Sequence, residues 1–258
     1  MRASSMDTVE QALRGGALPA APPLLRRQTA LVVGAGGTLG SALLAEALVG
    51  GRFQRVAALV AGPLSSAMRG FDALPAAALD DPRPLAAELA FIVFERARHS
   101  NRRDEAFVQP DPAELPDLAQ RLHARGVRRL LVVLPHAPAL LPSALKAGFA
   151  SLAEGAVAAL GFEQLVFVRA AQAGGGAAQG TGLERFARWW LSQLRWMVPA
   201  QEQPLRAVRL AALVVRLAQQ LPAAPPGTRV LAPERLWQAA QAGPEAADAV
   251  LSDWLGQP

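Results

Sequence analysis

Glycines recur every third residue in the segment 34–40, whose sequence is GAGGTLG. The segment follows the apolar run 30–33 and precedes leucines at helical spacing, which predicts a strand, a turn and a helix. In such a turn Gly34 permits the tight bend, Gly37 lets the backbone approach a pyrophosphate, and Gly40 lets helix and strand pack closely. The helix start would offer free N–H groups and a positive dipole end to phosphate oxygens. The sequence therefore predicts a dinucleotide site here, with a tightly packed turn that binds nothing as the alternative.

The end of the second strand, predicted over residues 56–60, leaves the kind of dinucleotide open. An acid there would bind the ribose hydroxyls of NAD, and an arginine would favour the 2′-phosphate of NADP. The chain has Ala-Gly-Pro at residues 61–63 instead. Arg52 and Arg69 lie in neighbouring loops, from which an arginine could reach a phosphate. The cofactor is therefore expected to be NADP or NAD.

Asp80 follows a weaker third strand, predicted over residues 76–79. Its carboxylate would accept a hydrogen bond from the adenine amino group, or would cap the helix predicted over residues 82–89. The residues expected to bind the cofactor are therefore Gly34, Gly36, Gly37, Thr38, Leu39, Gly40 and Asp80.

The composition excludes several kinds of chemistry. The chain has no cysteine, no tyrosine and three histidines, and Lys146 is its single lysine. Without cysteine there is no disulfide, no thiolate zinc site and no thiol nucleophile. Without tyrosine, no phenol can act as a proton donor. The scattered histidines leave little for a metal centre, so no metal is expected.

Short apolar runs alternate with helical stretches along the chain, as is typical of parallel βαβ units. Strands are predicted over residues 30–33, 56–60, 76–79, 91–94, 130–134, 164–168 and 229–231. Helices are predicted over residues 38–49, 82–89, 113–125, 140–160, 183–197, 205–221, 233–242 and 246–255. The predicted fold class is α/β, a doubly wound parallel sheet (Rossmann-like) with a small C-terminal helical cap.

Two regions are expected along the chain. Residues 1–28 form a partly flexible extension, and residues 29–258 form one NAD(P)-binding domain with the cap from about residue 170. The extension lacks the apolar region of a secretory signal, and no run reaches the ~18 apolar residues of a membrane span. A bacterial cytoplasmic location without a membrane partner is therefore expected. The net charge is +5, but the arginines are spread out, which argues against a nucleic-acid partner.

The glycine motif gives the chain a family resemblance. The sequence resembles the atypical short-chain dehydrogenases/reductases, most closely the branch of Tat-interacting-protein-like and nucleoside-diphosphate-sugar-epimerase-like proteins. The resemblance spans residues 29–241, with weaker support from residues 107–108, 161–162 and 166–169. It implies a Rossmann-like fold and an NAD(P) cofactor.

The resemblance also implies a serine after the fifth strand and a Tyr-x-x-x-Lys pair on the next helix. In this sequence the serine position falls on Leu134 or Pro135, the tyrosine position on Lys146 and the lysine position on Ala150. All three catalytic side chains are therefore absent.

A further departure from the family lies after the fourth strand. Family members have small residues there, whereas this chain has Glu95 and Arg96. These two side chains would form an ion pair, clamp a phosphate, block the nicotinamide half of the cleft or point to solvent.

A phosphate turn without its catalytic set predicts a regulatory or sensing pseudoenzyme that binds NAD(P). One alternative is an active NAD(P)H-dependent oxidoreductase or epimerase rebuilt around Lys146, His136 and Glu95, in which His136 acts as acid or base near neutral pH. Lys146 would otherwise be a surface residue. Another alternative is a protein-interaction scaffold without a nucleotide. An aromatic cluster leaves a protein partner or a homodimer open; it comprises Phe186, Trp189, Trp190 and Trp196.

Overall fold

The computed structural model describes residues 28–62, 64, 68–95, 104–136, 151–171 and 205–256. Within these residues, seven parallel strands form one sheet in the order β3-β2-β1-β4-β5-β6-β7. The strands are β1 (Thr29–Val33), β2 (Arg55–Val60), β3 (Phe71–Pro75), β4 (Leu89–Val93), β5 (Arg129–His136), β6 (Gln164–Ala171) and β7 (Gly227–Leu231). The order reverses between β1 and β4, which creates a crevice at the carboxyl ends of these two strands. The predicted doubly wound sheet is confirmed.

The central strands are apolar because helices cover both of their faces. All five residues of β4 are buried, and four of the five in β1 are buried too. Alternate side chains enter opposite cores, so that Ala30 and Val32 point to one face and Leu31 and Val33 to the other. Continuous apolar runs of this kind are expected for parallel strands buried on both sides.

The described helices divide between the two faces of the sheet. They are α1 (Gly37–Leu48), α2 (Leu115–Ala124), α3 (Leu152–Ala158), α4 (Ala207–Gln220), α5 (Pro233–Gln241) and α6 (Pro244–Leu255). Helices α1, α4, α5 and α6 contribute to one core, and α2 and α3 contribute to the other. Helix α4 lies along α1, and α5 and α6 pack against α4. The predicted C-terminal helices are therefore present, on the same face as α1.

The third strand and the segment after it differ from the prediction. Residues Phe71–Pro75 form β3, whereas Ala76–Asp80 form a 3-10 helix, so the strand predicted over residues 76–79 is wrong. The helix predicted over residues 82–89 is also wrong, because this segment is irregular up to β4. Pro84 disfavours a helical backbone at Arg83, the residue before it.

Side chains hold this irregular segment in place. The buried guanidinium of Arg125 donates to the carbonyl oxygen of Ala78 and, at 2.5 Å, to that of Arg83. Arg83 donates through Nε and Nη2 to the carboxylate of Asp81. These hydrogen bonds hold the pKa of Asp81 well below its usual range. Side-chain hydrogen bonds therefore replace the backbone bonds of a helix here.

The region after the fourth strand follows the prediction more closely. Asp111 starts a capping box in which its carboxylate accepts from Ala113 N at 2.8 Å and the Glu114 carboxylate accepts from Asp111 N at 3.3 Å. A short 3-10 turn, Pro112–Glu114, leads into α2, which ends before Gly126 as predicted. The sequence S/T/D-x-x-E is a recognised helix-start signal, which is why this boundary is predictable.

Strands β5 and β6 extend beyond their predicted ends. They stay paired up to His136 and Ala171, although Pro135 lies within β5. Next to this pair, Arg169 of β6 forms a buried ion pair with Glu154 of α3, with Nη2 and Oε2 2.8 Å apart. Of the helix predicted over residues 140–160, residues 152–158 are observed as α3 and residues 140–150 lie outside the described residues. The helix predicted over residues 183–197 lies outside them as well.

Candidate dinucleotide site at the glycine turn

The glycine turn lies at the point where the strand order reverses. Gly34 directly follows β1, and Phe94 and Glu95 directly follow the neighbouring β4. The N–H group of Phe94 donates to the carbonyl of Val133 at 3.0 Å, which extends the pairing of β4 with β5 by one residue. In open α/β sheets, ligands bind in this crevice outside the carboxyl ends of the strands.

Two glycines give the turn its shape, as the sequence predicts. Gly34 has a φ of 83°, and a Cβ atom there would collide with the carbonyl oxygen of Val93 on β4. A Cβ atom at Gly40 would collide with the carbonyl oxygen of Gly34. The turn can therefore lie against both β4 and α1 only because neither residue has a side chain.

The third glycine, Gly37, faces a side chain of the same protein. Gly37 has a φ of 76°, and a Cβ atom there would lie 2.6 Å from Oε2 of Glu95. The same oxygen accepts a hydrogen bond from Leu39 N at 2.8 Å. The carboxylate of Glu95 therefore lies at the N-terminus of α1, over the glycine at which the sequence predicts a pyrophosphate.

Helix α1 has no anion of its own at this end. Its N-cap residue is Gly36, which has no side chain to accept a hydrogen bond, and its first turn contains no acidic residue. Positive partial charge accumulates at the first N–H groups of a helix, so an anion placed there is stabilised. The half-buried Glu95 supplies that anion through a charge-assisted hydrogen bond from a residue that is distant in sequence.

This arrangement tests whether the turn fits a dinucleotide. The backbone accepts an oxyanion, because a carboxylate is bound there and the missing Cβ of Gly37 leaves room for it. A pyrophosphate and the Glu95 carboxylate would need the same position above Gly37. The turn therefore fits a phosphate group once the Glu95 side chain has moved away.

A second part of the chain crosses the carboxyl ends of β1 and β2. We call residues 106–108 the crossing segment. Val108 accepts from Gly34 N at 3.2 Å and donates to the Leu59 carbonyl at 3.1 Å, and the Ala61 N–H donates to Ala106 at 2.9 Å. Phe107 forms an antiparallel bridge with Val60. The segment therefore lies over the end of β2, where dinucleotide-binding folds hold the ribose hydroxyls.

Asp80, for which the sequence predicts a hydrogen bond to the adenine amino group or a helix N-cap, is engaged by Arg121. Asp80 ends a 3-10 helix, and its Oδ1 accepts from Arg121 Nη2 at 2.6 Å. Arg121 belongs to the last part of α2, which leads to the amino end of β5. The alternative role of Asp80 as an N-cap is wrong, because no helix begins near Pro82.

Arg52 and Arg69, which the sequence offers as partners of a 2′-phosphate, lie at the amino ends of the strands, whereas the glycine turn lies at the carboxyl ends. Arg52 precedes β2 and forms an ion pair with Glu46, with Nη2 and Oε1 2.9 Å apart. Arg69 precedes β3, at an exposed turn. Because the glycine turn follows the carboxyl end of β1, the suggestion that these arginines reach its ligand is wrong.

The substrate half of the crevice is described only in part. His136 is the last residue of β5, where it pairs with Ala171, and its side chain lies outside the described part of the structure. Lys146, Arg96 and the aromatic cluster lie outside the described residues. Leu134 and Pro135, at which the resemblance places a serine, stand at the carboxyl end of β5 and bring no hydroxyl group there.

The residues that sequence analysis missed are those that fill the crevice. The sequence places Glu95 at the cleft, but it does not predict that its carboxylate binds the start of α1. The absence of a capping side chain or first-turn acid at residues 36–39 was the signal that this helix needs an anion from elsewhere. No comparable signal marks the crossing segment.

Across the described ranges, no cluster of three or more acidic or histidine side chains could hold a metal ion. None of the helices described is long and apolar enough to cross a bilayer.

Comparison with known proteins yields similar solved structures. No family model matches it, and no curated protein matches it. Similar solved structures include a provisionally named NAD-dependent epimerase/dehydratase from Bacillus halodurans, with 14% identity over 82% of this chain and 99% of that one and a TM-score of 0.48. Another is a Rossmann-fold NAD(P)-binding family protein from Shigella flexneri, with 13% identity over 79% and 92% and a TM-score of 0.46. A third is Bordetella bronchiseptica WbmG in complex with NAD, with 14% identity over 92% and 81% and a TM-score of 0.45. The fold of the chain rests on its own strand order.

Proposed function

We propose that this chain is a regulatory or sensing protein of the short-chain dehydrogenase/reductase type, which binds NAD or NADP without the usual catalytic residues. The observation that carries the proposal is an anion site formed by Gly37 and the N–H groups of Thr38 and Leu39 at the start of α1, which we call the cradle. It lies at the point where the strand order reverses. An anion, the Glu95 carboxylate, is bound in it through Leu39 N at 2.8 Å. One turn therefore lies at the ligand-binding crevice of the fold, has the glycines that a phosphate requires and binds an anion.

The chain's own groups have distinct tasks in this proposal. The N–H groups of the first turn of α1, at Thr38 and Leu39, would hold the pyrophosphate above Gly37. Gly34 and Gly40 would keep the helix start close enough to the sheet for this contact. A bound nicotinamide dinucleotide would supply hydride-transfer chemistry. The chain has no tyrosine to donate the accompanying proton, which favours binding over turnover.

The first prediction concerns the charge beside the cradle. Thr38→Asp adds a carboxylate at an exposed position in the first turn of α1, where it is compatible with the helix dipole but repels a pyrophosphate. We expect the Kd for NAD(H) or NADP(H) to rise about tenfold, equivalent to about 1.4 kcal/mol. Isothermal titration calorimetry with all four dinucleotides measures this change and also the preference between NAD and NADP.

Ala246→Asp is the matched control for this prediction. Ala246 is exposed in the first turn of α6, so the variant carries the same added charge at another helix start. It should bind as the wild type does. Equal weakening by both variants, or no effect of Thr38→Asp on a dinucleotide that binds, would show that the ligand lies elsewhere.

A scaffold without a nucleotide is the second candidate function. It is favoured by the crossing segment, which takes up the N–H of Gly34 and covers the end of β2. The same titration separates the two candidates. The scaffold is supported if neither the folded wild-type chain nor Glu95→Ala, which frees the start of α1, binds any of the four dinucleotides at millimolar concentration.

An active oxidoreductase or epimerase rebuilt around Lys146 remains a prediction from the sequence. It requires NAD(P)H-dependent turnover of a carbonyl or sugar-nucleotide substrate. Comparing the turnover of the wild type with that of Lys146→Ala tests it. Turnover that Lys146→Ala abolishes would replace the regulatory proposal with an enzymatic one.

A further inference from the structure

We infer that Glu95 is an intramolecular competitor of the dinucleotide, so that a pyrophosphate binds only after the Glu95 carboxylate has left the N-terminus of α1. This inference rests on the proposed function and adds its regulation. The structure then represents a closed, self-bound state of the site. Affinity for the cofactor depends on how often Glu95 vacates the cradle.

The competition follows from shared donors and shared space. Oε2 of Glu95 accepts from Leu39 N at 2.8 Å, and this N–H group belongs to the turn that would hold the phosphate. The position that a Cβ of Gly37 would take lies 2.6 Å from the same oxygen. The clearance that glycine provides for a phosphate is therefore used by the carboxylate. Two anions cannot lie there together, because they would repel each other at van der Waals distance.

Glu95 can leave without disturbing the sheet. Its backbone lies just beyond β4, and the preceding residue, Phe94, is buried and hydrogen-bonded to Val133 at 3.0 Å. Glu95 itself is only partly buried. Rotation about its own side-chain bonds can therefore take the carboxylate off the start of α1 while Phe94 anchors the strand end.

Displacement of the Glu95 carboxylate by a dinucleotide has a defined thermodynamic consequence. When only a fraction of molecules have a vacant cradle, the apparent dissociation constant is the intrinsic constant divided by that fraction. The contact of Glu95 with the helix should therefore stabilise the ligand-free protein and weaken its affinity for the dinucleotide. A residue with a purely structural role would not produce these two opposite effects.

Glu95→Gln and Glu95→Ala test this inference. Glu95→Gln keeps the size of the side chain and removes its charge, and Glu95→Ala removes the hydrogen bond to Leu39 N as well. We expect both variants to melt at a lower temperature than the wild type without ligand. We also expect both to bind NADH or NADPH about tenfold more tightly, which corresponds to about 1.4 kcal/mol. Differential scanning fluorimetry and calorimetric titration measure these two quantities.

Glu245→Gln is the matched control. Glu245 is an exposed acid in the first turn of α6, so this variant makes the same charge change at a helix N-terminus without contact with the cradle. It should leave the dinucleotide affinity unchanged. Amide exchange at Leu39 gives a third measurement that needs no nucleotide, since this amide should exchange faster in Glu95→Ala than in the wild type.

The outcomes separate this inference from the proposed function. If the wild type binds a dinucleotide and both Glu95 variants bind it equally or more weakly, the inference is wrong and the proposed function stands. If Leu39 exchange and melting temperature do not change in Glu95→Ala, the inference is wrong as well. If the wild type and both folded variants bind no dinucleotide, the proposed function is wrong and the inference falls with it.

Discussion

The carboxylate of Glu95 does for α1 what a serine or aspartate N-cap does for most helices. Because Gly36 has no capping side chain, the first N–H groups of α1 need an acceptor from another part of the chain, and β4 delivers one. The glycine spacing could be predicted from sequence because it is local. The partner of the helix could not, because it depends on which side chain the neighbouring strand brings to the same edge. Asp80 shows the converse. The sequence predicts it as a cofactor ligand, but β3 ends at Pro75 and the Asp80 carboxylate accepts a hydrogen bond from Arg121.

The close packing of Gly40 leads to a prediction at this scale. In Gly40→Ala the added Cβ would collide with the carbonyl oxygen of Gly34, so the turn or the helix must shift. We expect the free energy of unfolding to fall by about 2 kcal/mol. Gly155→Ala is the control, because this glycine lies within α3 and its added Cβ would meet nothing within 4 Å beyond its own helix backbone and chain neighbours. It should be neutral or raise stability by about 0.5 kcal/mol. Urea unfolding measures both, and equal effects would contradict the packing described for Gly40.

At the scale of elements, most errors of prediction fall between β3 and β4. The helix expected over residues 82–89 does not form, because Pro84 disfavours a helical backbone at Arg83 and Arg125 binds the carbonyl oxygens of Ala78 and Arg83. Arginine side chains that bind a backbone distant in sequence leave no periodic pattern. The strands that could be predicted, such as β1 and β4, are those whose burial on both faces requires a continuous apolar run.

The Arg125 contacts lead to a prediction about this loop. Arg125→Met keeps the aliphatic part of the side chain and removes the donors to Ala78 and Arg83. We expect a loss of about 2 kcal/mol in unfolding free energy, because the carbonyl oxygens lose a charged partner. Arg128→Met is the control, since Arg128 is exposed three residues further on. Urea denaturation of the two variants should therefore give clearly different midpoints, and coincident midpoints would refute the role given to Arg125.

For the whole molecule, the strand order determines where stability is concentrated. β1, β4 and β5 lie inside the sheet and are largely buried, whereas β3 and β7 form its edges and are mostly half-buried or exposed. The parallel order itself was predictable, because strands alternating with helices permit few other topologies. The place of the crossing segment could not be predicted, because its bridge joins Val60 and Phe107, which only the complete fold brings together.

Native-state hydrogen exchange tests this distribution. We expect the amides of β4 and β5 to exchange only with global unfolding, and those of β3 and β7 to exchange through smaller openings. An edge strand pairs with a neighbour on one side only, so its amides can exchange through openings that expose little new surface. The exchange rates in β3 and β7 should therefore rise less steeply with urea concentration than those in β4 and β5. Protection in β3 equal to that in β4 would contradict the sheet order described above.

Because Glu95 is attached to the strand beside its own binding site, it competes at an effective concentration on the order of millimolar or higher. Free sulfate or inorganic phosphate at micromolar concentration cannot displace a competitor of this kind. A ligand must make further contacts, such as those of an adenosine group, before it displaces the Glu95 carboxylate from the cradle. In the proposed competition, the hydrogen bond from Leu39 to Glu95 would therefore select against small anions that a bare helix N-terminus would accept.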